Sequence, residues 1–277
     1  MHRETLCWLR CPEGCTDPLA IETVTTQGDR VEQGRLQCRV CGRAYTIEEG
    51  IARMLPSTLT EPDRNDQDAA RKRREMAARD AQVTAYDRLR ALRWFGLVEV
   101  PATLALLRPR RADPVLEAGC GTGRMTRTFA TRSCRVVSVD YSLESLRACR
   151  RKLIAQGITN VDLIQADVCA LPLQSALFPK VVSCQVLEHV PTPEARARMV
   201  AELARVARPG GDVVISAYQH SVFTQLWDRK EGEHAGGIYY YRFSRPELEQ
   251  LLSHSLKVRR MTGALVYHYL AHCQKGA

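Results

Sequence analysis

A glycine-rich segment flanked by two acidic residues is the part of this sequence best suited to binding a ligand. Glu117 ends a short apolar run, and Gly119, Gly121 and Gly123 follow at every second position. Because glycine has no Cβ, such a segment can turn sharply and bring its backbone close to a ligand. Asp140 ends the next apolar run, 21 residues after Gly119. That spacing is typical of nucleotide-binding α/β units, in which a carboxylate binds the ribose hydroxyls.

The spacing of the glycines and the carboxylate before them distinguish between two kinds of nucleotide ligand. Dinucleotide-binding units favour G-x-G-x-x-G, with a pyrophosphate at the following helix, whereas this chain has G-x-G-x-G. Glu117 precedes the glycines, and its carboxylate would repel a pyrophosphate but attract a cation. We therefore expect a positively charged nucleoside ligand. The alternative is a glycine-rich βα turn that binds no ligand.

Two pairs of cysteines near the start of the chain predict a metal site. Cys11 and Cys15 form a C-x3-C pair, and Cys38 and Cys41 form a C-x2-C pair. Close pairs let two thiolates bind one ion, and two pairs complete the tetrahedral four-sulfur site typical of structural zinc. Such a site leaves no position for a catalytic water. Cys7 is a rival ligand, and four unrelated buried cysteines are the alternative to a metal site.

The elements that would position these residues alternate between strands and helices. Apolar runs after residue 113 are separated by stretches with helical spacing, which indicates a parallel sheet covered on both faces. The predicted strands are Val115–Glu117, Val136–Asp140, Val161–Asp167, Val181–Cys184, Val213–Ser216, Lys257–Met261 and Leu265–Leu270, with a turn at Arg208–Gly211 before the fifth. The predicted helices are Ala69–Trp94, Arg124–Ala130, Leu143–Gln156, Pro193–Val206 and Arg245–Leu252.

The composition is that of a globular protein, with 45% apolar and 26% charged residues in a chain of 277. No stretch approaches the ~20 apolar residues of a membrane span, and the first residues lack a signal-peptide pattern, so the cytoplasm is the expected compartment. The net charge of +9 is uneven, because eleven Lys and Arg lie against four acidic residues between Arg71 and Arg111. Such a segment is either a nucleic-acid-binding surface or a solvated helical face.

Taken together, the motifs resemble those of the class I S-adenosylmethionine-dependent methyltransferases over residues 112–271. The matching segments are Glu117–Gly123, Val139–Ser142, Gln165–Val168, Ser183–Val190 and Arg208–Asp212. The resemblance implies an α/β fold with a Rossmann-like, doubly wound, mostly parallel seven-stranded sheet. It also implies S-adenosylmethionine as the cofactor, whose sulfonium and ammonium groups match the expected positive charge. The implied cofactor-binding residues are Glu117, Gly119, Gly121, Gly123, Asp140, Tyr141, Asp167, Val168 and Gln185.

The segment Ser183–Val190 is similar to that of the ubiquinone-biosynthesis-like subgroup, which implies a small-molecule or lipid-like acceptor. Within it, His189 would lie at the carboxyl edge of the sheet, where ligands of α/β proteins bind. A base is needed when the acceptor must lose a proton, so His189 is the candidate catalytic residue. Its alternative role is to cap the following helix. An aromatic stretch from Tyr218 to Phe243, which includes Trp227, would either form a wall over the acceptor or pack against the sheet.

Residues 6–56 resemble a small zinc-ribbon family that is fused to, or partnered with, methyltransferases. The phrase Leu36–Pro56 carries this likeness, and polar residues between Pro56 and Asp68 are consistent with a domain boundary. We therefore divide the chain into a small zinc ribbon (1–56), a linker and helical lid (57–111), and an S-adenosylmethionine-binding methyltransferase domain (112–277).

Three functions compete on this basis. The Glu188-His189-Val190 sequence and the aromatic stretch favour methylation of a small-molecule or lipid-like acceptor. RNA is the second acceptor considered, because a zinc ribbon also precedes a bacterial rRNA guanine methyltransferase and the basic stretch suits phosphates. However, no Asn/Asp-Pro-Pro-Tyr type of segment follows the fourth strand. The third function, a non-catalytic cofactor-binding partner protein, is disfavoured by the complete set of motifs. The sequence leaves the oligomeric state undefined.

Overall fold

The computed structural model describes residues 1–61, 66–86, 90–220, 229–234, 236–264 and 267–276. The strands are β1 (Ala20–Gln27), β2 (Arg30–Gln37), β3 (Ala44–Glu48), β4 (Ile51–Arg53), β5 (Pro114–Ala118), β6 (Arg135–Asp140), β7 (Val161–Gln165), β8 (Phe178–Cys184), β9 (Ala207–Tyr218), β10 (Glu231–His234), β11 (Ile238–Tyr241), β12 (Lys257–Ala264) and β13 (His268–Gln274). The helices are α1 (Arg3–Leu6), α2 (Ser57–Thr60), α3 (Gln67–Tyr86), α4 (Arg90–Leu107), α5 (Thr126–Ala130), α6 (Leu143–Ala155), α7 (Pro193–Val206) and α8 (Arg245–Ser253), and a 3₁₀ turn spans Leu187–His189. Within these ranges, every helix is too short or too polar to cross a membrane.

Eleven strands of the described residues form one sheet, in the order β1-β2-β3-β4-β7-β6-β5-β8-β9-β13-β12. The six strands from β4 to β9 in this order run parallel to one another. Strand β13 pairs antiparallel with both β9 and β12. The seven neighbouring strands β7-β6-β5-β8-β9-β13-β12 form the mostly parallel Rossmann-like sheet that the sequence predicted, so this prediction is confirmed. Successive strands build outward from β5 in one direction and from β8 in the other. A crevice therefore opens at the carboxyl ends of these two strands, where such sheets bind ligands.

The central strands are mostly apolar because helices cover both faces of the sheet. Neighbouring residues of a strand point to opposite faces, so Val115 and Leu116 belong to different parts of the core. Leu116 packs in a cluster with Leu203 of α7. Val115 packs with Phe129 of α5 and Leu146 of α6. The two-sided core fixes the strand ends that carry the site.

The cysteine-bearing segment is joined to this sheet through its last strand. Strands β1 to β4 form an antiparallel meander, and β4 pairs parallel with β7, placing Ile51 opposite Leu163 and Arg53 opposite Gln165. The N–H of Met54 also donates to the carbonyl of Gln165 at 2.7 Å. The sequence predicted a module preceding the sheet, and it carried no signal that the module would extend the sheet edge.

Several boundaries of helices and strands differ from the predicted ones. The predicted turn at Arg208–Gly211 lies within β9, because Ala207 already pairs with Phe178 ahead of a shift in register. The helix after the glycines begins at Thr126 rather than Arg124. The helix predicted over Ala69–Trp94 corresponds to α3 and the first part of α4, and residues 87–89 lie outside the described part of the chain.

Candidate active site

The glycine segment forms a tight loop after β5. Gly119 has φ +82°, and a Cβ there would lie 2.1 Å from Cγ2 of Val186. Gly123 has φ +85°, and a Cβ there would lie 2.5 Å from Sγ of Cys149 on α6. Side chains at both positions would clash, so only glycine lets the loop lie directly against its neighbours. Gly121, between them, has open space where its Cβ would be and lines a pocket.

Glu117, near the end of β5, is a buried carboxyl that lines this pocket. Its Oε2 accepts hydrogen bonds from Oγ1 of Thr126 at 2.5 Å and from Oγ of Ser138 at 3.1 Å. Burial raises the pKa of Glu117 to about 7, although these hydrogen bonds and nearby Arg124 favour the carboxylate. A cationic ligand would further favour the ionised form. The environment of Glu117 is therefore consistent with the expected positive charge of the ligand.

Asp140, at the end of β6, connects the glycine loop to α6. Its Oδ2 accepts from the N–H of Gly121 at 2.7 Å, and its Oδ1 accepts from the N–H of Ser142 at 2.9 Å. Burial raises the pKa of Asp140, and the two backbone bonds oppose that rise. Each carboxylate oxygen has a second lone pair. Asp140 can therefore hold the loop in place and still accept hydroxyl groups of a ligand in the pocket.

Asp167, two residues after β7, meets a lysine from the preceding helical region. Its Oδ1 accepts from the N–H of Cys169 at 2.9 Å, and its Oδ2 pairs with Nζ of Lys72 on α3 at 2.7 Å. Tyr141 and Val168 line the same pocket. This ion pair connects α3 to the side of the pocket that Asp167 lines.

His189, in the 3₁₀ turn after β8, lines the same pocket. Its Nδ1 lies 2.7 Å from the carbonyl oxygen of Tyr239. A carbonyl can only accept, so Nδ1 carries the hydrogen and Nε2 keeps its lone pair. Burial lowers the pKa of His189 well below its ordinary value of 6.5. The imidazole is therefore neutral at physiological pH and holds a defined tautomer.

The aromatic stretch lies beside His189 as a hairpin of β10 and β11. The ring of Tyr218 lies 5.7 Å from that of His189, and the ring of His234 is stacked on that of Tyr240 at 4.5 Å. A Cβ at Gly236 in the turn would lie 2.1 Å from Nε2 of Gln82 on α3, so the hairpin turn contacts α3. The rings therefore form part of a wall next to His189. Trp227 lies outside the described residues.

Glu188, next to His189, is fully buried. Among the residues that the structure describes, neither of its carboxyl oxygens has a hydrogen-bond partner. Burial raises the pKa of Glu188 to about 8, with a further rise from Glu99 and an opposing effect of Arg79. The carboxyl is therefore mostly protonated at neutral pH.

Replacing Glu188 by glutamine should make the protein less sensitive to alkaline pH. The pKa of this carboxyl in the folded state, about 8, lies above its ordinary value of 4.5. The folded chain therefore holds a proton that the unfolded chain loses, and stability falls as pH rises from about 4.5 to about 8. Relative to the native protein, E188Q should gain ~2–4 kcal/mol of unfolding free energy between pH 5 and pH 9.

Urea unfolding of both proteins at pH 5, 7 and 9 measures this difference. The exposed Glu249 of α8 provides the control, because E249Q should follow the native protein at every pH. Parallel pH profiles for E188Q and the native chain would show that Glu188 is ionised in the folded state.

The structure brings nearly all of the predicted ligand-binding residues to one pocket. Those that line it are Glu117, Gly119, Gly121, Asp140, Tyr141, Asp167, Val168, Gln185 and His189, whereas Gly123 packs against α6. Sequence reasoning missed three basic residues that also line the pocket, namely Lys72, Arg79 and Arg124. Two of them belong to the basic stretch noted in the sequence, but a run of charge does not indicate which side chains face inward.

The four predicted cysteine ligands form one cluster. The Sγ atoms of Cys11, Cys15, Cys38 and Cys41 all lie within 4.8 Å of one another. The 3.7 Å between Sγ of Cys11 and Sγ of Cys41 is close to the roughly 3.8 Å edge of a tetrahedron with Zn–S bonds of about 2.3 Å. Burial acts to raise the pKa of Cys38, but backbone hydrogen bonds lower it to about 7, which favours a thiolate. Cys7 is exposed and lies outside this cluster.

The mostly parallel sheet, the glycine loop after β5 and the carboxylate at the end of β6 are the features that the resemblance to the S-adenosylmethionine-dependent methyltransferases predicts. Residues 115–211 match the family model described as a methyltransferase domain. The chain therefore carries a methyltransferase domain of the S-adenosylmethionine-dependent class. The predicted resemblance is confirmed.

Two curated relatives and one solved structure illustrate the range of similar proteins. A ubiquinone biosynthesis O-methyltransferase of Saccharophagus degradans is 28% identical over 209 residues, which cover 68% of this chain and 86% of that protein. A phosphatidylethanolamine N-methyltransferase of Cereibacter sphaeroides is 39% identical over 106 residues, which are 38% of this chain and only half of that protein. A chain from the complex between the Haloferax volcanii Trm112 methyltransferase activator and a putative methyltransferase has a TM-score of 0.58 and 18% identity, covering 72% of this chain and 98% of that one. This structural likeness shows the fold alone.

Proposed function

We propose that this protein transfers the methyl group of S-adenosylmethionine to a small-molecule or lipid-like acceptor. The observation that carries the proposal is the pocket at the carboxyl ends of β5 to β8. Its lining includes three acidic residues suited to a cationic nucleoside (Glu117, Asp140 and Asp167) together with a neutral histidine. The relatives include proteins named as ubiquinone and phosphatidylethanolamine methyltransferases, which supports this class of acceptor over RNA.

The cofactor residues follow from the contacts within the pocket. S-adenosylmethionine supplies a methyl group that its sulfonium already makes electrophilic, so transfer is an in-line displacement at carbon. Asp140 would accept hydrogen bonds from the ribose hydroxyls, and Asp167 would accept one from the exocyclic amine of adenine. The carboxyl of Glu117 would favour the positively charged end. The remaining task of the chain is to align the acceptor with the methyl group. In well-oriented reactions such alignment lowers the activation free energy by as much as ~7–11 kcal/mol.

His189 is the residue that we propose as general base. Its Nδ1–H is fixed on the carbonyl of Tyr239, which leaves Nε2 to take a proton from the acceptor. A phenol or an acidic carbon must lose a proton when it becomes methylated, and a base is useful for such acceptors. The helix α3 and the β10–β11 hairpin would exclude water from this reaction.

The test uses S-adenosylmethionine with a labelled methyl group and fractions of a cell extract. The proposal expects label in the organic-soluble fraction, which contains quinones, phenols and lipids. Label confined to the RNA fraction, with an incorporation that falls steeply between low and physiological salt, would overturn it in favour of RNA methylation. Cofactor binding with no labelled product in any fraction would support a non-catalytic partner protein instead.

We further propose that residues 1–56 form a ribbon held by one structural zinc ion on Cys11, Cys15, Cys38 and Cys41. The donor set fits, because four thiolates within 4.8 Å of one another match a closed tetrahedral site. The ribbon would support the adenine side of the pocket. Its last strand bonds to Gln165, whose Nε2 in turn donates to the carbonyl of Tyr141 at 3.0 Å.

Replacing Cys38 by serine should abolish metal binding. Metal analysis is expected to return about one zinc per native chain and close to none for C38S, because a structural site needs all four ligands. Cys7→Ser is the matched control, since Cys7 is exposed and outside the cluster, and it should retain full zinc. A native protein that is folded and free of metal would contradict the proposal.

A further inference from the structure

Glu99 on α4 is a buried carboxylate that joins three parts of the edge of the pocket, and it is only 4% exposed. Its Oε2 accepts hydrogen bonds from Nη2 of Arg124 at 2.8 Å and from Nε2 of Gln185 at 2.5 Å. Its Oε1 accepts from Oγ of Ser216 at 2.8 Å. Glu99 lies outside the residues that match the methyltransferase model. It belongs to none of the motifs that the sequence analysis identified.

The partners of Glu99 come from three different parts of the sheet and its connections. Arg124 follows the glycine loop after β5, Gln185 follows β8, and Ser216 belongs to β9. Gln185 has φ +59°, a conformation that is uncommon for residues other than glycine. Its N–H donates to Oγ of Ser216 at 3.0 Å, so both its backbone and its side chain are held by this network. Arg124 and Gln185 line the pocket.

Arg124 places a guanidinium on the wall of a pocket that we propose to take a cation. Positive charge there would disfavour a sulfonium far more than a neutral thioether. Glu99 pairs with this guanidinium where water screens charges little. Glu117 and Glu188 are weaker sources of negative charge near neutral pH, because burial raises their pKa to about 7 and about 8.

We propose that Glu99 is a positioning residue whose charge lets the pocket accept the sulfonium of S-adenosylmethionine rather than favour the thioether product, S-adenosylhomocysteine. The inference rests on the proposed function, since it assumes that these two molecules bind in this pocket. Glu99 acts through Arg124 and Gln185 and does not touch the reacting atoms. Removing its charge should therefore change the ratio of the two affinities. A merely structural role would weaken both affinities alike.

Titration calorimetry without an acceptor measures the dissociation constants of both molecules. In E99Q, the ratio of the constant for S-adenosylmethionine to that for S-adenosylhomocysteine should rise by about tenfold, because a negative charge beside Arg124 is lost while its guanidinium stays on the wall of the pocket. The double variant E99Q/R124Q should return the ratio to the native value, because it also removes the guanidinium. S216A loses a hydrogen bond but keeps both charges, so it should leave the ratio unchanged.

An equal weakening of both molecules in E99Q would overturn the inference, as would a double variant that fails to restore the ratio. If E99Q does not fold, R124Q tests the inference alone. The ratio should then fall, because Glu99 keeps its negative charge after the guanidinium is removed. An unchanged ratio in R124Q would contradict the inference. A folded native protein that binds neither molecule overturns the proposed function itself. Native binding of both molecules with a ratio that no variant changes overturns only the role of Glu99.

Discussion

Replacing His189 by asparagine is expected to lower kcat by about 10²–10⁴-fold, the usual contribution of a positioned general base. The affinity for S-adenosylmethionine should stay nearly unchanged. An asparagine amide can still donate to the carbonyl of Tyr239, but it has no basic nitrogen to replace Nε2. Steady-state kinetics on the acceptor, together with calorimetric titration of the cofactor, would separate the two effects.

The pH profile adds a second readout for His189. Burial lowers its pKa well below 6.5, so the imidazole stays neutral, and able to accept a proton, through the neutral range. The rate of the native enzyme should therefore not decline through protonation of this residue until the pH is well below 6.5.

His254 provides a matched control for this substitution. Its Nδ1 also lies 2.7 Å from a backbone carbonyl, that of Gln250, but the residue is exposed at the end of α8. H254N should retain native kcat. A H189N enzyme with native kcat would show that His189 has a structural role, such as capping the following helix.

Replacing Asp140 by alanine is expected to weaken the binding of S-adenosylmethionine by about 10²–10³-fold, because hydrogen bonds to a charged group contribute ~1.5–3 kcal/mol each. Two ribose hydroxyls would lose their acceptor. The N–H groups of Gly121 and Ser142 would also lose the carboxylate that fixes the glycine loop. Calorimetric titration measures the affinity, and circular dichroism verifies that the variant is folded.

Asp113 is the matched control for this change. It is half-buried and its carboxylate also accepts a backbone N–H, that of Arg110 at 2.9 Å, but it lies outside the pocket. D113A should bind the cofactor as the native protein does. If D140A also keeps native affinity, the ribose assignment is wrong.

The parts of the fold that were predictable from sequence are those with a strong local signal. Continuous apolar runs predicted the parallel strands, because such strands are buried on both faces. The glycines predicted the loop, since a Cβ at Gly119 or Gly123 would clash with a neighbouring side chain. The cysteine pairs predicted their own cluster because the ligand spacing is local.

The parts that sequence could not predict depend on tertiary contacts. The pairing of β4 with β7 joins residues more than 100 positions apart, and a three-residue strand has almost no pattern of its own. Lys72 and Glu99 lie on helices whose charged residues have no distinguishing period, so nothing in the sequence showed that these two side chains turn inward. The β10–β11 hairpin was predicted only as an aromatic stretch, because two four-residue strands are too short to identify.

The central claim is that the pocket formed by Glu117, the glycine loop and Asp140 takes a positively charged thioether nucleoside and not a pyrophosphate-bearing one. Titrating the purified chain with S-adenosylmethionine and, separately, with NAD tests it directly. The account predicts saturable binding of S-adenosylmethionine that D140A weakens, and no binding of NAD. Binding of NAD, or a folded chain that binds neither molecule, would contradict the account.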